Sequence, residues 1–233
     1  MNSKPFCKTV IFAFLILLGF SFGGCATSPK EVYVPLNREA ERIQVYKRFP
    51  VQAALLISEE DKNYTHKVTP TIFNLSGIVH VFPLGDALEK DSIQIFSQIF
   101  RGVQVVRTPA AAQKFKIVIA PKIEEFSFRY DEMKVGASYQ APRIQFTAAA
   151  KAKITLYSAG TQIWEKSVKS PEQRKTSAYQ QGFTNEEDMG EVAFQALNYA
   201  LKKMAEEMAQ DPEVEKNSAS AAIDGSKKTY ARR

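Results

Sequence analysis

The feature that most restricts the fold of this chain is a strict two-residue alternation between positions 144 and 156. Successive side chains of a β-strand point to opposite faces, so this alternation predicts one long strand with a buried face and a solvated face. Because several of its apolar members are alanines, the buried face has room for a bulky neighbour, which we expect to be packed helices. Gly160 lies in the hairpin turn that we expect after the strand. The apolar members are Ile144, Phe146, Ala148, Ala150, Ala152, Ile154 and Leu156.

The residues before this strand predict a succession of strands and helices. A strand at 51–58, a helix at 84–100 and a strand at 103–106 follow one another, and the connection is long enough for a crossover. The two strands are therefore predicted to be parallel. A further long strand is predicted at 115–130, where Pro121 cannot donate a ladder hydrogen bond and marks a bulge or a sheet edge.

The last helix is predicted from a capping box, in which Thr184 stands three positions before Glu187. Together these elements predict an α/β (α+β) fold. We expect a two-layer sandwich with a mainly antiparallel sheet of four or five strands and two long helices on one face. The apolar face of the last helix carries Val192, Phe194, Leu197, Leu201, Met204 and Met208.

The N-terminus has the layout of an export signal. Lys4 and Lys8 form a short basic region, and an apolar run extends from Val10 to Phe22. This run is too short to span a bilayer comfortably but has the length of a signal-peptide core. Gly23 and Gly24 follow, as the small residues that a signal peptidase accepts, and Cys25 comes directly after them.

The segment Phe22-Gly23-Gly24-Cys25 resembles the lipobox of bacterial lipoprotein precursors, with Phe22 where the motif prefers an aliphatic residue. The resemblance implies cleavage before Cys25, a diacylglycerol on its thiol and acylation of the new amine. Two or three acyl chains anchor a protein essentially permanently, at roughly 0.8 kcal/mol for each buried CH₂. Ala26 stands where an Asp would favour inner-membrane retention, which implies the periplasmic face of the outer membrane. An ordinary secretory leader and an uncleaved anchor are the alternatives.

One folded domain is predicted between two polar ends. Residues 1–24 form the signal peptide, and 25–47 contain the lipidated cysteine and a flexible tether, because this stretch is polar and has no periodicity. The domain covers 48–210. Residues 211–233 are rich in Ser, Ala, Lys and Glu and are predicted to form a disordered tail.

The residue types that most often act in catalysis or metal binding form no catalytic or metal-binding pattern in the sequence. His66 and His80 have no partners at ligand spacing, and a lone histidine is usually structural. Glu124 and Glu125 are adjacent in a strand, so they are predicted to point to opposite faces and not to act as an acid–base pair. The formal charge of +6 is spread along the chain without a basic cluster, which disfavours nucleic acid as a partner. We therefore expect no enzyme activity, no metal and no cofactor.

Two groups of residues are candidates for binding a partner. The first lies at the end of the 115–130 strand and in the loop after it, where aromatic residues and an arginine alternate near a flexible glycine, although a solvated hairpin end is the better interpretation. It comprises Phe126, Phe128, Arg129, Tyr130 and Tyr139. The second is on the last helix, where Phe194 and Tyr199 would line a groove, although core packing is the better interpretation.

In its order of elements over about 50–210, the chain resembles small α/β outer-membrane lipoproteins, among them the lipopolysaccharide-assembly lipoprotein. The resemblance is architectural and transfers no functional residue. The leading hypothesis is a non-enzymatic accessory component of an envelope transport, secretion or assembly machine, with membrane lipid and an envelope protein complex as partners. A carrier of lipid or another amphiphile, with a pocket between the alanine face of 144–156 and the Met-rich last helix, is the alternative. An enzyme ranks third.

Overall fold

The computed structural model describes residues 30–36, 43, 48–70, 77–133, 143–178 and 185–230. Phe22–Cys25, Ala26, Tyr139 and Thr184 lie outside these ranges. The described strands are β1 Lys30–Tyr33, β2 Phe49–Leu56, β3 His66–Val68, β4 Ile78–Phe82, β5 Phe100–Val106, β6 Ile117–Met133, β7 Arg143–Ser158, β8 Thr161–Lys169 and β9 Gln173–Ala178. The described helices are α1 Glu59–Lys62, α2 Leu84–Ile99, α3 Pro109–Ala112, α4 Glu186–Gln210 and α5 Pro212–Tyr230.

The large sheet has the strand order β5-β2-β6-β7-β8, and β9 also pairs with β7. β2 is parallel to both β5 and β6, which confirms the predicted parallel pair of the strands near 51–58 and 103–106. The remaining pairs are antiparallel. The fold is therefore α+β as predicted, but the described sheet has six strands where four or five are expected, and two of its five strand pairs are parallel. The sheet is mixed because β6 joins the parallel unit on one side and β7 on the other.

β7 is the long strand that the alternation predicts, and it is the central strand of the antiparallel half. It pairs with β6 along its whole length, from Ser158 opposite Ile117 to Arg143 opposite Met133. Its other edge is divided between β8 and β9. Ala159 and Gly160 have φ angles of 49° and 85° and form the tight turn into β8. β9 carries no apolar alternation and is absent from the sequence-based expectations.

A bulge in β6 changes the prediction for its two glutamates. The register with β7 shifts between Ile123 and Glu125. As a result Glu124 and Glu125 do not point to opposite faces, and carboxylate oxygens of both lie near Lys151 Nζ, at 3.1 and 3.8 Å. Pro121 precedes the bulge and lies beyond the last residue of β6 that pairs with β2, so no hydrogen bond to β2 requires its missing N–H.

The main core lies between the first face of the large sheet and helices α2, α4 and α5. All the predicted apolar positions of β7 and α4 are buried in it. α4 packs directly on β7, so the small alanine side chains allow the helix to approach closely and its methionines fill the space. The carrier pocket predicted between these two elements is therefore occupied by protein. α4 begins after Asn185, whose side-chain oxygen accepts a hydrogen bond from the N–H of Asp188, one residue later than the predicted Thr184 cap.

The N-terminal segment corrects the predicted tether. β1 joins β4 and β3 in a separate three-stranded sheet, and Val34 donates its N–H to the carbonyl of Val81 at 2.9 Å. The next residues pack on α4, where a Cβ at Gly190 would lie only 1.9 Å from the Pro35 carbonyl oxygen. Val34 and Leu36 are buried. The apolar residues of this otherwise polar stretch therefore pack against the domain, and residues 30–36 are part of the fold.

The C-terminal residues correct the predicted disordered tail. Asp211 caps α5 by accepting hydrogen bonds from the N–H groups of Glu213 and Val214, at 2.9 and 3.2 Å. Pro212 occupies the first helical position, where its missing N–H is not needed. Val214 and Ala221 are buried in the main core and the helix contacts β2. Three long helices, not two, therefore pack in the described domain.

Candidate binding cleft on the second face of the large sheet

The structure places most of the predicted partner-binding residues in the interior. Phe126, Phe128 and Tyr130 are buried beneath the small sheet, with the Phe82 ring of β4 only 4.6 Å from that of Phe128. Arg129 is exposed on the opposite face, where its guanidinium contacts Glu172 at 2.8 Å. These aromatic side chains therefore do not form an exposed binding surface, because side chains of β3 and β4 pack on them. Tyr139 lies outside the described residues.

His80 and Tyr130 form a buried polar pair between the small sheet and β6. The Tyr130 hydroxyl lies 2.7 Å from Nδ1 of His80. Burial lowers the pKa of His80, and Glu186 opposes this shift. His66, the other histidine, packs edge-on against Phe126 at 5.0 Å, and burial lowers its pKa as well. Both histidines therefore make packing contacts that are typical of a structural role.

A second buried polar pair lies between α2 and α4. Asp91 is 1% exposed and Asn198 is 4% exposed. Burial raises the pKa of Asp91 to about 7, and the Asn198 amide opposes this shift. Within the described part of the chain, neither Asp91 Oδ2 nor Asn198 Nδ2 has a hydrogen-bond partner. Both polar atoms are inaccessible to solvent.

The predicted groove on the last helix is present in part. Phe194 and Tyr199 line a shallow groove of about 480 Å³ together with Asn198. Tyr199 is 43% exposed, whereas Phe194 is mostly buried and packs in the core. The methionines of α4 contribute to the core and not to this groove.

The larger candidate site is a cleft of about 770 Å³ at one end of the second face of the large sheet. Three adjacent strands supply its floor, through Leu56 at the end of β2, Val118 near the start of β6 and Tyr157 near the end of β7. These side chains point away from the main core because their neighbours in each strand point into it. The floor continues into a second hydrophobic cluster formed by Ala54, Val106, Ala112 and Val118.

One wall of the cleft is the connection between β5 and β6. Both strands are parallel to β2, which lies between them, so residues 107–116 must cross over β2. Thr108 caps the short helix α3 in this connection through its hydroxyl, which accepts from the N–H of Ala111 at 3.2 Å. Ala112 of α3 lies in the same hydrophobic cluster as Ala54 of β2. The opposite wall is the β7–β8 turn, held by a 2.8 Å hydrogen bond from the N–H of Ala159 to the carbonyl of Lys116.

The charges in the cleft differ from those on the rest of the same sheet face. Away from the cleft, oppositely charged side chains pair across strands, for example Lys153 with Glu165 at 2.9 Å. In the cleft both charged lining residues are lysines, Lys114 and Lys116, and none of the described lining residues is acidic. The cleft therefore combines an apolar floor with a positive rim.

The sequence contains a signal for this cleft that the alternation analysis did not use. Ala53–Leu56 and Ile117–Ile119 are continuous apolar runs within strands. A continuous run in place of an alternation indicates that both faces of a strand meet apolar neighbours. Within the described ranges, no three His, Cys, Asp or Glu residues are grouped to hold a metal ion. In the same ranges, no helix is long and apolar enough to cross a membrane.

Comparisons with known proteins assign no family to the chain. The sequence matches no protein-family model and no curated protein. A DUF330 protein from Xanthomonas campestris aligns with a TM-score of 0.48 and 12% identity, covering 77% of this chain and 95% of that one. A minor lipoprotein from Acinetobacter baumannii aligns with a TM-score of 0.31 and 11% identity, covering 75% and 94%. Uncharacterized lipoprotein B from Nitrosomonas europaea aligns with a TM-score of 0.27 and 14% identity, covering 79% and 94%. Similarities at this level identify no activity, and the resemblance to the lipopolysaccharide-assembly lipoprotein stays a prediction.

Proposed function

We propose that this chain is a bacterial envelope lipoprotein, anchored by acylated Cys25 in the outer membrane, with a non-enzymatic binding role in an envelope machine. The observation that carries the proposal is the order of features at the N-terminus: a basic region, a short apolar run, two glycines and Cys25. A leader of this layout is typical of export, and a cysteine directly after small residues is typical of lipidation.

The nature of the cleft supports binding as the role of the domain. Its lining side chains are mostly apolar, with Lys114, Lys116, Gln113 and the Tyr157 hydroxyl as polar groups, and the described ones include no Ser, His, Asp, Glu or Cys. Those residue types supply most nucleophiles and general acids or bases in enzymes. An apolar concave surface with few polar groups is the usual character of a site that binds a small molecule.

The anchor is tested by membrane fractionation and intact-mass analysis of the wild type and of Cys25→Ser. We expect the wild type in the outer-membrane fraction, with a mass that corresponds to cleavage before Cys25 and acylation, and the variant without lipid and released from the membrane. Cys7→Ser is the matched control, because this second cysteine lies in the leader and should leave anchoring unchanged. Identical behaviour of the wild type and Cys25→Ser would refute the anchor.

The binding role is tested by crosslinking intact envelopes and recovering the wild-type chain. We expect a defined envelope complex, recovered in smaller amount with Cys25→Ser because the variant no longer shares a membrane with the complex. Recovery of nothing beyond abundant porins would count against an accessory role in an envelope machine.

A further inference from the structure

The cleft at the end of the large sheet is complementary to a ligand with an apolar body and a negative end. Leu56, Val118 and Tyr157 form an apolar floor, and Lys114 is exposed at the rim. Lys116 is the other charged lining residue, so both charges in the cleft have the same sign. An anionic group at this rim gains attraction without meeting a carboxylate among the described lining residues.

The backbone around the floor disfavours an extended peptide as the occupant. Val118 pairs with Ala54 on one side and with Tyr157 on the other, so the strands of the floor are hydrogen-bonded to each other. A peptide that adds to a sheet needs the unpaired N–H and C=O groups of an edge strand. A peptide lying on this floor would leave its own polar groups unsatisfied, whereas an alkyl chain has none.

We infer that the cleft binds a single-chain anionic amphiphile, with its acyl chain on Leu56, Val118 and Tyr157 and its carboxylate at Lys114. The volume of about 770 Å³ falls within the range of about 300–1,000 Å³ that small-molecule sites occupy. The inference rests on the proposed binding role and adds the class of ligand. It does not depend on the anchor, because the cleft lies wholly in the described domain.

The test uses the chain from residue 25 with Cys25→Ser, which keeps the whole domain and leaves out the lipid of the chain itself. Palmitate is titrated against a bound fluorescent fatty acid, and hexadecanol serves as the neutral ligand with the same alkyl chain. We expect saturable binding of palmitate that is roughly fivefold tighter than that of hexadecanol, since a partly exposed ion pair contributes modestly.

Three variants locate the binding. Lys114→Glu should weaken palmitate roughly fivefold and leave hexadecanol unchanged, because it reverses the rim charge. Leu56→Gln should weaken both ligands roughly tenfold, because it removes apolar surface from the floor. Lys122→Glu is the matched control, since this exposed lysine lies on the same sheet face and does not line the cleft. Thermal unfolding of each variant verifies that the fold is retained.

Several results would overturn the inference. These are the absence of saturable palmitate binding, equal effects of Lys114→Glu and Lys122→Glu, and binding that Leu56→Gln does not weaken. Preference of the cleft for an apolar peptide over palmitate would also overturn it. If the wild type is anchored by lipid but the domain does not bind palmitate, only the proposed ligand class is refuted. If the domain binds palmitate but the wild type fractionates like Cys25→Ser, only the proposed anchor is refuted.

Discussion

The hydroxyl of Tyr130 and Nδ1 of His80 lie 2.7 Å apart in the interior of the domain. Burial lowers the pKa of His80 and raises that of Tyr130 well above its ordinary value, so both groups are neutral near pH 7. The pair joins the small sheet to β6 through a polar contact inside an otherwise aromatic cluster. Loss of the Tyr130 hydroxyl removes the hydrogen-bond partner at Nδ1 of His80.

Tyr130→Phe should destabilise the domain because it removes the hydroxyl next to Nδ1 of His80. A buried polar group that loses its partner costs about 1–3 kcal/mol of the free energy of unfolding. Urea unfolding of the variant measures this loss. Tyr64→Phe is the matched control, because Tyr64 is 37% exposed and water replaces its hydroxyl contacts. Equal stability losses in the two variants would refute a special role for the buried pair.

Asp91→Asn should stabilise the domain above pH 7 and remove a pH dependence of its stability. The folded pKa of Asp91 is about 7 and its ordinary value is 3.8, so the folded state resists the deprotonation that the unfolded chain undergoes near pH 4. The free energy of unfolding therefore falls as the pH rises from about 4 to 7, by an amount on the order of 4 kcal/mol. Asparagine cannot ionise and avoids this loss.

Urea unfolding at pH 5 and pH 8 tests the Asp91 prediction. The wild type should lose more stability between these two values than Asp91→Asn does. Glu60→Gln, a change of the same chemistry at an exposed position, should follow the wild type. His80 has the opposite effect on the acid side, because its lowered pKa makes the folded state less stable as the pH falls below its ordinary 6.5. A pH dependence that is unchanged in Asp91→Asn would show that the carboxyl is not buried as described.

Gly190→Ala should destabilise the domain although alanine favours helices. The new Cβ would lie 1.9 Å from the Pro35 carbonyl oxygen, so the N-terminal segment or α4 must move. We expect a net loss of about 2 kcal/mol from such overpacking, measured by urea unfolding. Gly102→Ala is the control, since its Cβ would meet Gln52 Cγ at an ordinary 3.7 Å and should change the stability by less than about 1 kcal/mol. A neutral Gly190→Ala would mean that Pro35 does not rest on α4.

Val214→Ala should show that α5 is part of the folded unit. Val214 is fully buried in the main core, so removing its methyl groups should cost about 1–2 kcal/mol of the free energy of unfolding. Lys216→Ala changes an exposed side chain of the same helix and should be nearly neutral. Differential scanning calorimetry of both variants measures the difference. Equal melting temperatures of the two variants would instead support the prediction, made from composition, that residues 211–233 form a disordered tail.

The elements that the sequence predicts well are those whose pattern is local. The alternation in β7, the stripe of α4 and the crossover between β2 and β5 depend on the spacing of apolar residues, and the structure confirms them. β9 has a polar sequence and forms because the free edge of β7 offers it a partner. Among its described side chains, the helix at Pro212–Tyr230 buries Val214, Ser218 and Ala221, which are small, so composition alone gives no sign of its packed face.

The binding residues are predicted from an alternation of aromatic residues, and the same pattern is also typical of the buried face of a strand. Phe126, Phe128 and Tyr130 form such a buried face because β4 packs on them, a contact between residues far apart in the chain. The cleft depends on where residues 107–116 cross β2, which no local pattern specifies. Lys114 and Lys116 could not be identified as cleft residues from the sequence, because they form a binding site only together with the apolar floor beside them.

The docking of residues 30–36 on the domain has a mechanical consequence for a chain held at Cys25. The chain from Cys25 to Lys30 has five residue steps and spans at most about 18 Å when fully extended. A force on the proposed anchor would therefore load the pairing of β1 with β4 once these five steps are extended. From there the load passes through the Pro35–Gly190 contact into α4. In a chain held by the proposed anchor, a force at Cys25 would therefore reach the core helix α4 through β1 and Pro35.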